Sequence, residues 1–365
     1  AKLSKASFKG ARLQYADLSG AELSEAALDN ADLSFAKAPG AKLSRASLRG
    51  TNLSGTDLTG ADLKEANAEG GNFSNSNISK ALMTKSCLKG ANLSQSILFG
   101  ADMSEAEMSK AQATGANFEG VSLERADLTS ATLDGASFKN ANLQGAVLNG
   151  STLKGVQLMG ADLRGTTFYE AFFPKANLKE ITLSGVDMSL ANLSGANMES
   201  VYLKDALLKG ADLQGATLRS ANLEGADLSY ARLTEANLYL SILSRANLRW
   251  ADLRSSNLKG ANLRGADLTS ANLENANLTG ADMTGAILTV ASLKGADFTG
   301  ASLENADMSD VKLEGAAIHG ANLKGVKLPP THRGTPCPSC GARTTERSAD
   351  NLLVCPTCGK TFPLS

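Results

Sequence analysis

Ala261-Asn262-Leu263-Arg264-Gly265 and Ala266-Asp267-Leu268-Thr269-Ser270 are one five-residue phrase written twice. Followed outward in both directions, the phrase keeps its beat. Leu3, Phe8, Leu13, Leu18, Leu23, Leu28 and Leu33 each come five residues after the last, and the series runs to Leu328 without an insertion or deletion. Its 66 centres are Leu, Phe, Met or Ile except at Ala38, Ala68 and Ala113. Two residues before each centre lies a second regular position, Ala in 49 of 66 cases and otherwise Ser, Thr, Gly, Val or the lone Ile181. The other three positions are mostly polar residues and Gly.

A period of five fits neither an α-helix at 3.6 nor a free-standing strand at 2.0. Two inward positions, two residues apart, fit a very short strand. The Gly-rich position that follows fits a turn, because Gly accepts positive φ without steric penalty. Each repeat therefore reads as one strand and one corner. Close packing of these inward residues leaves an interior that is filled, with no room for a ligand. Ala68 is followed by Phe73 and Ala113 by Phe118, so a small centre sits beside a large one and volume is conserved.

The A-(D/N)-L-x-x pattern, seen also at Ala16–Gly20, resembles the pentapeptide-repeat family over residues 1–328. The resemblance implies an all-β fold, a right-handed quadrilateral parallel β-helix with four repeats, or 20 residues, per coil. On that basis the 66 repeats make about 16 coils, a solenoid roughly 80 Å long at ~4.8 Å per coil.

Residues 20 apart then stack, and the surface becomes readable. One corner column runs Glu170, Leu190, Gly210, Tyr230, Trp250, Ser270, Val290, with Tyr169 and Phe172 at its lower end and Arg249 beside Trp250, the only tryptophan. Exposed aromatics beside Arg have the composition of interface hot spots. Tyr230, Trp250, Leu190, Tyr169, Phe172 and Arg249 are therefore the candidate partner-binding residues. The plainer alternative is cross-strand pairing that only stabilises the corner. Tyr239, Leu240 and Ile242, with Arg219 and Lys259, make a second patch, and Tyr15 with Phe35 a third.

After Leu328 the period stops. Residues 329–336, rich in Pro and turn formers, read as a linker. Residues 337–365 hold Cys337, Cys340, Cys355 and Cys358 in a C-x2-C-x14-C-x2-C arrangement. This resembles a zinc ribbon, with Ala342–Thr345 and Leu352–Val354 pairing as a hairpin. Four thiolates favour a closed, structural Zn²⁺ site. Iron is the rival for such a sulfur set, and disulfides are disfavoured without a secretion signal.

Charge narrows the functions. Residues 1–328 carry 32 basic and 35 acidic side chains. Some relatives of this fold act on DNA gyrase by mimicking duplex DNA, but a duplex that long would carry on the order of 45 negative charges. Near-neutrality disfavours mimicry of the whole duplex and disfavours nucleic acid as a partner of the β-helix. Residues 329–365, with four basic and two acidic side chains, leave a weak nucleic-acid contact open for the ribbon. Cys87, His319 and His332 stand isolated, so no acid, base and nucleophile converge and no enzyme is expected. The expected function is a rigid protein-binding scaffold or adaptor of the kind found in large multidomain bacterial proteins. The alternative is a DNA-mimic or topoisomerase-linked role. No apolar run approaches a membrane span and no signal peptide is visible. A cytoplasmic protein is expected, or one exported by a specialised system without a signal peptide. The start at Ala1, already inside the repeat, reads as a piece of a longer protein.

Overall fold

The structure, a computed structural model, describes residues 1–328 and the strand residues Glu346–Arg347, Leu353–Val354 and Thr361–Phe362. It divides into two compact blocks, Ala1–Ala196 and Asn197–Ser365. In each block the repeats wind into a solenoid β-helix.

The first coil shows how. Lys2 bridges Glu22, Ser7 bridges Ala27, Arg12 bridges Asp32 and Asp17 bridges Lys37, all in parallel. Four sides and 20 residues per turn follow directly. In the second block the same step joins Asn197 to Thr217 and Tyr202 to Asn222. Backbone bonds run along the axis, as from Leu23 N–H to the Lys42 carbonyl at 2.7 Å and from Glu22 N–H to the Ala1 carbonyl at 2.8 Å.

The centres and the small residues before them point inward. Leu28, Phe73, Phe118, Leu213 and Leu263 are fully buried, as are Ala26, Ala211 and Ala261. Both expected compensations hold: Ala68, Phe73, Ala113 and Phe118 are all buried. Phe118 also stacks on Phe138 one coil later, centroids 4.7 Å apart. Gly71 stands in the Ala position beside Phe73, and a Cβ there would lie 3.1 Å from the Phe73 ring and 3.0 Å from the Ala68 carbonyl. Most polar residues in the Ala position bond to the backbone, although the buried Ser86 hydroxyl has no partner among the described residues. Thr51 donates its hydroxyl to the Leu28 carbonyl at 2.7 Å and Ser256 to that of Leu253 at 2.7 Å.

Corners are made by the fifth residue of each repeat, which is left-handed whether or not it is Gly: Gly10 has φ 64°, Asn30 55° and Val290 63°. The Asp or Asn of the motif secures the turn that follows it. Its Oδ1 accepts the N–H two residues on, as from Ser229 to Asp227 at 2.9 Å and from Thr299 to Asp297 at 2.9 Å. This is an Asx turn.

Charge alternates from coil to coil over residues 1–120 of the first block. Coils 1–20, 41–60 and 81–100 have formal charges of +3, +2 and +2, and coils 21–40, 61–80 and 101–120 have −3, −1 and −3. Opposite signs meet axially, Lys42 with Glu22 at 2.8 Å, Arg45 with Glu65 at 3.0 Å, Arg49 with Glu69 at 3.1 Å and Lys89 with Glu107 at 2.7 Å.

Near the C-terminus, β1 (Glu346–Arg347), β2 (Leu353–Val354) and β3 (Thr361–Phe362) form an antiparallel sheet in the order β1-β2-β3. Glu346 pairs with Val354 and Arg347 with Leu353. The arm described opposite Leu353–Val354 is Glu346–Arg347. Residues 342–345 and the linker 329–336 lie outside the described residues. No described helix is long and apolar enough to cross a membrane.

Candidate interaction surface

Because the interior is filled, function has to be sought on the outside. In the second block, corner positions 230 and 250 are locked by backbone bonds, Tyr230 N–H to the Arg249 carbonyl at 2.9 Å and Trp250 N–H to that of Thr269 at 3.0 Å. Both residues are left-handed, φ 60°. Their side chains stand one coil apart and stack with planes 3° from parallel and centroids 6.4 Å apart. Tyr230 is 56% exposed and Trp250 54%. Lys209 lies over Tyr230, its Nζ 6.0 Å from the ring centre. Arg249 reaches the next coil, donating from Nη1 to Asp267 Oδ2 at 3.1 Å. Burial pushes the Asp267 carboxyl up, but hydrogen bonds from the Thr269 hydroxyl and N–H and from Arg249 outweigh it, leaving it below the usual carboxylate range. Asp267 therefore stays an acceptor and holds Arg249 beside Trp250.

The six candidates divide between the blocks. Tyr230, Trp250 and Arg249 come together in the second. Leu190, Tyr169 and Phe172 lie in the first and are half exposed. A hydrogen bond from its hydroxyl to the Glu170 carboxylate raises the Tyr169 pKa, and the Tyr169 N–H is taken by Asn149 Oδ1 at 3.0 Å. Phe172 bridges Thr152 and Asn192 in the strand ladder.

The other patches are also present. Tyr15 and Phe35 stack at 5.5 Å, and the Phe35 ring lies over Gly55, where a Cβ would come within 2.6 Å. Arg219 covers Tyr239 at 5.3 Å. Leu82, Ile97 and Phe99, all within coil 81–100, are further exposed apolar side chains that the sequence analysis does not name. The signal for them was there, apolar residues at outward positions of the repeat. A shallow depression in the first block is lined by Lys9, Asp29, Arg49 and Glu69. Its charges are mutually paired, Lys9 with Asp29 at 3.4 Å and Arg49 with Glu69 at 3.1 Å. Cys87 is a half-buried free thiol. Cys337, Cys340, Cys355 and Cys358 lie outside the described residues, and among the described residues no cluster of His, Cys, Asp and Glu could hold a metal.

The family model for pentapeptide repeats (8 copies) matches residues 1–45, 27–64, 41–80, 57–95, 86–125, 106–145, 126–165, 161–199, 173–210, 206–245, 246–285 and 291–328. Among solved structures, the chain is similar to HetL, a pentapeptide repeat protein involved in heterocyst differentiation regulation in the cyanobacterium Nostoc sp. strain PCC 7120. Identity is 32%, over 59% of this chain and 92% of HetL, with a TM-score of 0.47. It is also similar to the pentapeptide repeat protein Rfr23 of the cyanobacterium Cyanothece 51142, at 29% identity, 33% and 90% coverage and a TM-score of 0.23. QnrB1, a plasmid-mediated fluoroquinolone resistance protein, is 22% identical over 60% of this chain and 90% of its own, with a TM-score of 0.23. No curated protein matches the chain.

Proposed function

Because the chain belongs to the pentapeptide-repeat family, we propose that it is a non-enzymatic docking scaffold whose partner meets the Tyr230–Trp250 corner. One observation carries this reading. Tyr230, Trp250 and Val290 occupy one corner of the second block in left-handed backbone, φ 60–63°, and each is more than half exposed. That conformation costs a bulky L-residue roughly 1–2 kcal/mol, and solvent contact forfeits the gain of burying it. Gly fills the same position in many repeats. Three large side chains placed where folding disfavours them twice are accounted for by a partner that covers them.

The C-terminal segment is proposed as a zinc ribbon. Cys337 and Cys340 precede β1, while Cys355 and Cys358 fall in the connection between β2 and β3. Knuckle, hairpin and knuckle-bearing connection suit a ribbon. The metal would be held by these four thiolates and would supply folding energy rather than reactivity. Such thiolates persist in a reducing compartment such as the cytoplasm. Duplex mimicry is the rival function, and the alternation of charged coils in the first block speaks against it.

The test is a Trp250→Ala/Tyr230→Ala double variant of the full chain in quantitative pull-downs. The expected outcome is partner retention reduced by about tenfold or more, with the melting midpoint unchanged. A lower midpoint with undiminished retention would make the stack purely structural.

A further inference from the structure

The outward tips of the Tyr230–Trp250 corner are rich in donors, and the carboxylates nearest them, Asp227 and Asp267, already accept hydrogen bonds from Ser229 and Arg249. Neither the Tyr230 hydroxyl nor the Trp250 indole N–H has a hydrogen-bond partner among the described residues. Lys209 is exposed and, among them, is in no ion pair. Arg249 is half exposed and spends one nitrogen on Asp267, leaving most of its five N–H donors free. The corner pairs 209–210, 229–230, 249–250 and 269–270 contain no carboxylate. Lys209 lies over the Tyr230 ring, and Trp250 stacks on it. Ser270, with a short side chain, holds the corner position one coil beyond Trp250.

We propose, resting on the docking reading above, that this corner binds a short acidic polypeptide segment with one apolar side chain. Carboxylates meet Lys209, Arg249 and the two ring donors, while the apolar group covers the exposed part of Trp250. Charge complementarity selects the acid. The block itself selects a short segment over a long polyanion. Coils 261–320 carry three basic residues against eight acidic ones, so a nucleic acid continuing along the corner would be repelled, whereas a peptide can end before it.

The experiment selects random peptides of about twelve residues, displayed on phage, on the full chain, with counter-selection on the Trp250→Ala/Tyr230→Ala variant. Trp250 is the only tryptophan, so its emission reports binding of each synthetic peptide at this site. The expected result is enrichment of acidic peptides bearing an apolar residue, with saturable change in that emission. Affinity should weaken as salt rises and fall about tenfold in a Lys209→Ala/Arg249→Ala variant, with its circular dichroism unchanged. Peptides that need the rings yet are neutral or basic would overturn the acidic partner and leave the docking reading standing. Absence of any ring-dependent peptide would remove both. Oligothymidylate binding more tightly than the selected peptides would assign the corner to single-stranded nucleic acid instead.

Discussion

Val290 is the residue at which conformation and side chain disagree most. It is β-branched, left-handed at φ 63° and 57% exposed. Val290→Gly should raise stability in a urea melt by roughly 1 kcal/mol, since Gly adopts this conformation freely. No gain would mean that Val290 earns its place within the fold. The motif aspartates make a second prediction. Hydrogen bonds from the Thr299 hydroxyl and N–H hold Asp297 below the ordinary carboxylate range, and those from Ser309 do the same for Asp307. A depressed folded pKa contributes stability that is complete above the unfolded value near 4 and is lost as pH falls through the folded one. Melting midpoints should therefore drop as pH falls below about 4. In an Asp297→Asn/Asp307→Asn variant, which keeps the accepting oxygen, that drop should be smaller.

Within one coil, the tightest fit is Gly71 against Phe73. Gly71→Ala would press a methyl onto the ring and the Ala68 carbonyl, at a cost of about 1–3 kcal/mol. Phe73→Leu in the same chain should recover part of that loss in thermal melts, and no recovery would move the strain elsewhere. Legibility divides along the same line. The five-residue period exposed every inward position, and the structure buries Leu28, Phe73 and Ala211 as the period requires. The 20-residue step came from family resemblance, because spacing along one chain does not say which repeat lies above which. Given that step, Tyr230 on Trp250 and Tyr15 on Phe35 could be read directly. The grip of Asp267 on Arg249 could not, because it spans 18 residues and depends on which way a long side chain swings. The Asx turns have a signature of their own in the sequence, Asp or Asn recurring just before the centre.

At the scale of the molecule, composition sets two behaviours. The proposed ribbon has little core of its own, so chelation should unfold residues 337–365 while the β-sheet dichroism of the solenoid persists. Titrating zinc back should restore the segment at one equivalent, and a segment indifferent to metal would refute the site. The solenoid faces a different hazard: its coils are nearly interchangeable. A growing stack could skip a storey and still bury leucine on leucine. In the first block, omitting one storey would seat coil 1–20 on coil 41–60, both positive, or coil 21–40 on coil 61–80, both negative. Over residues 1–120 the alternating signs would thus act as a parity check, admitting the neighbour next in the chain and rejecting the one after it. Inverting a storey with Lys42→Glu, Arg45→Glu and Arg49→Glu should corrupt that check. Refolding would then yield more trapped and aggregated species in low salt, and high salt, which silences the code, should narrow the difference from the parent.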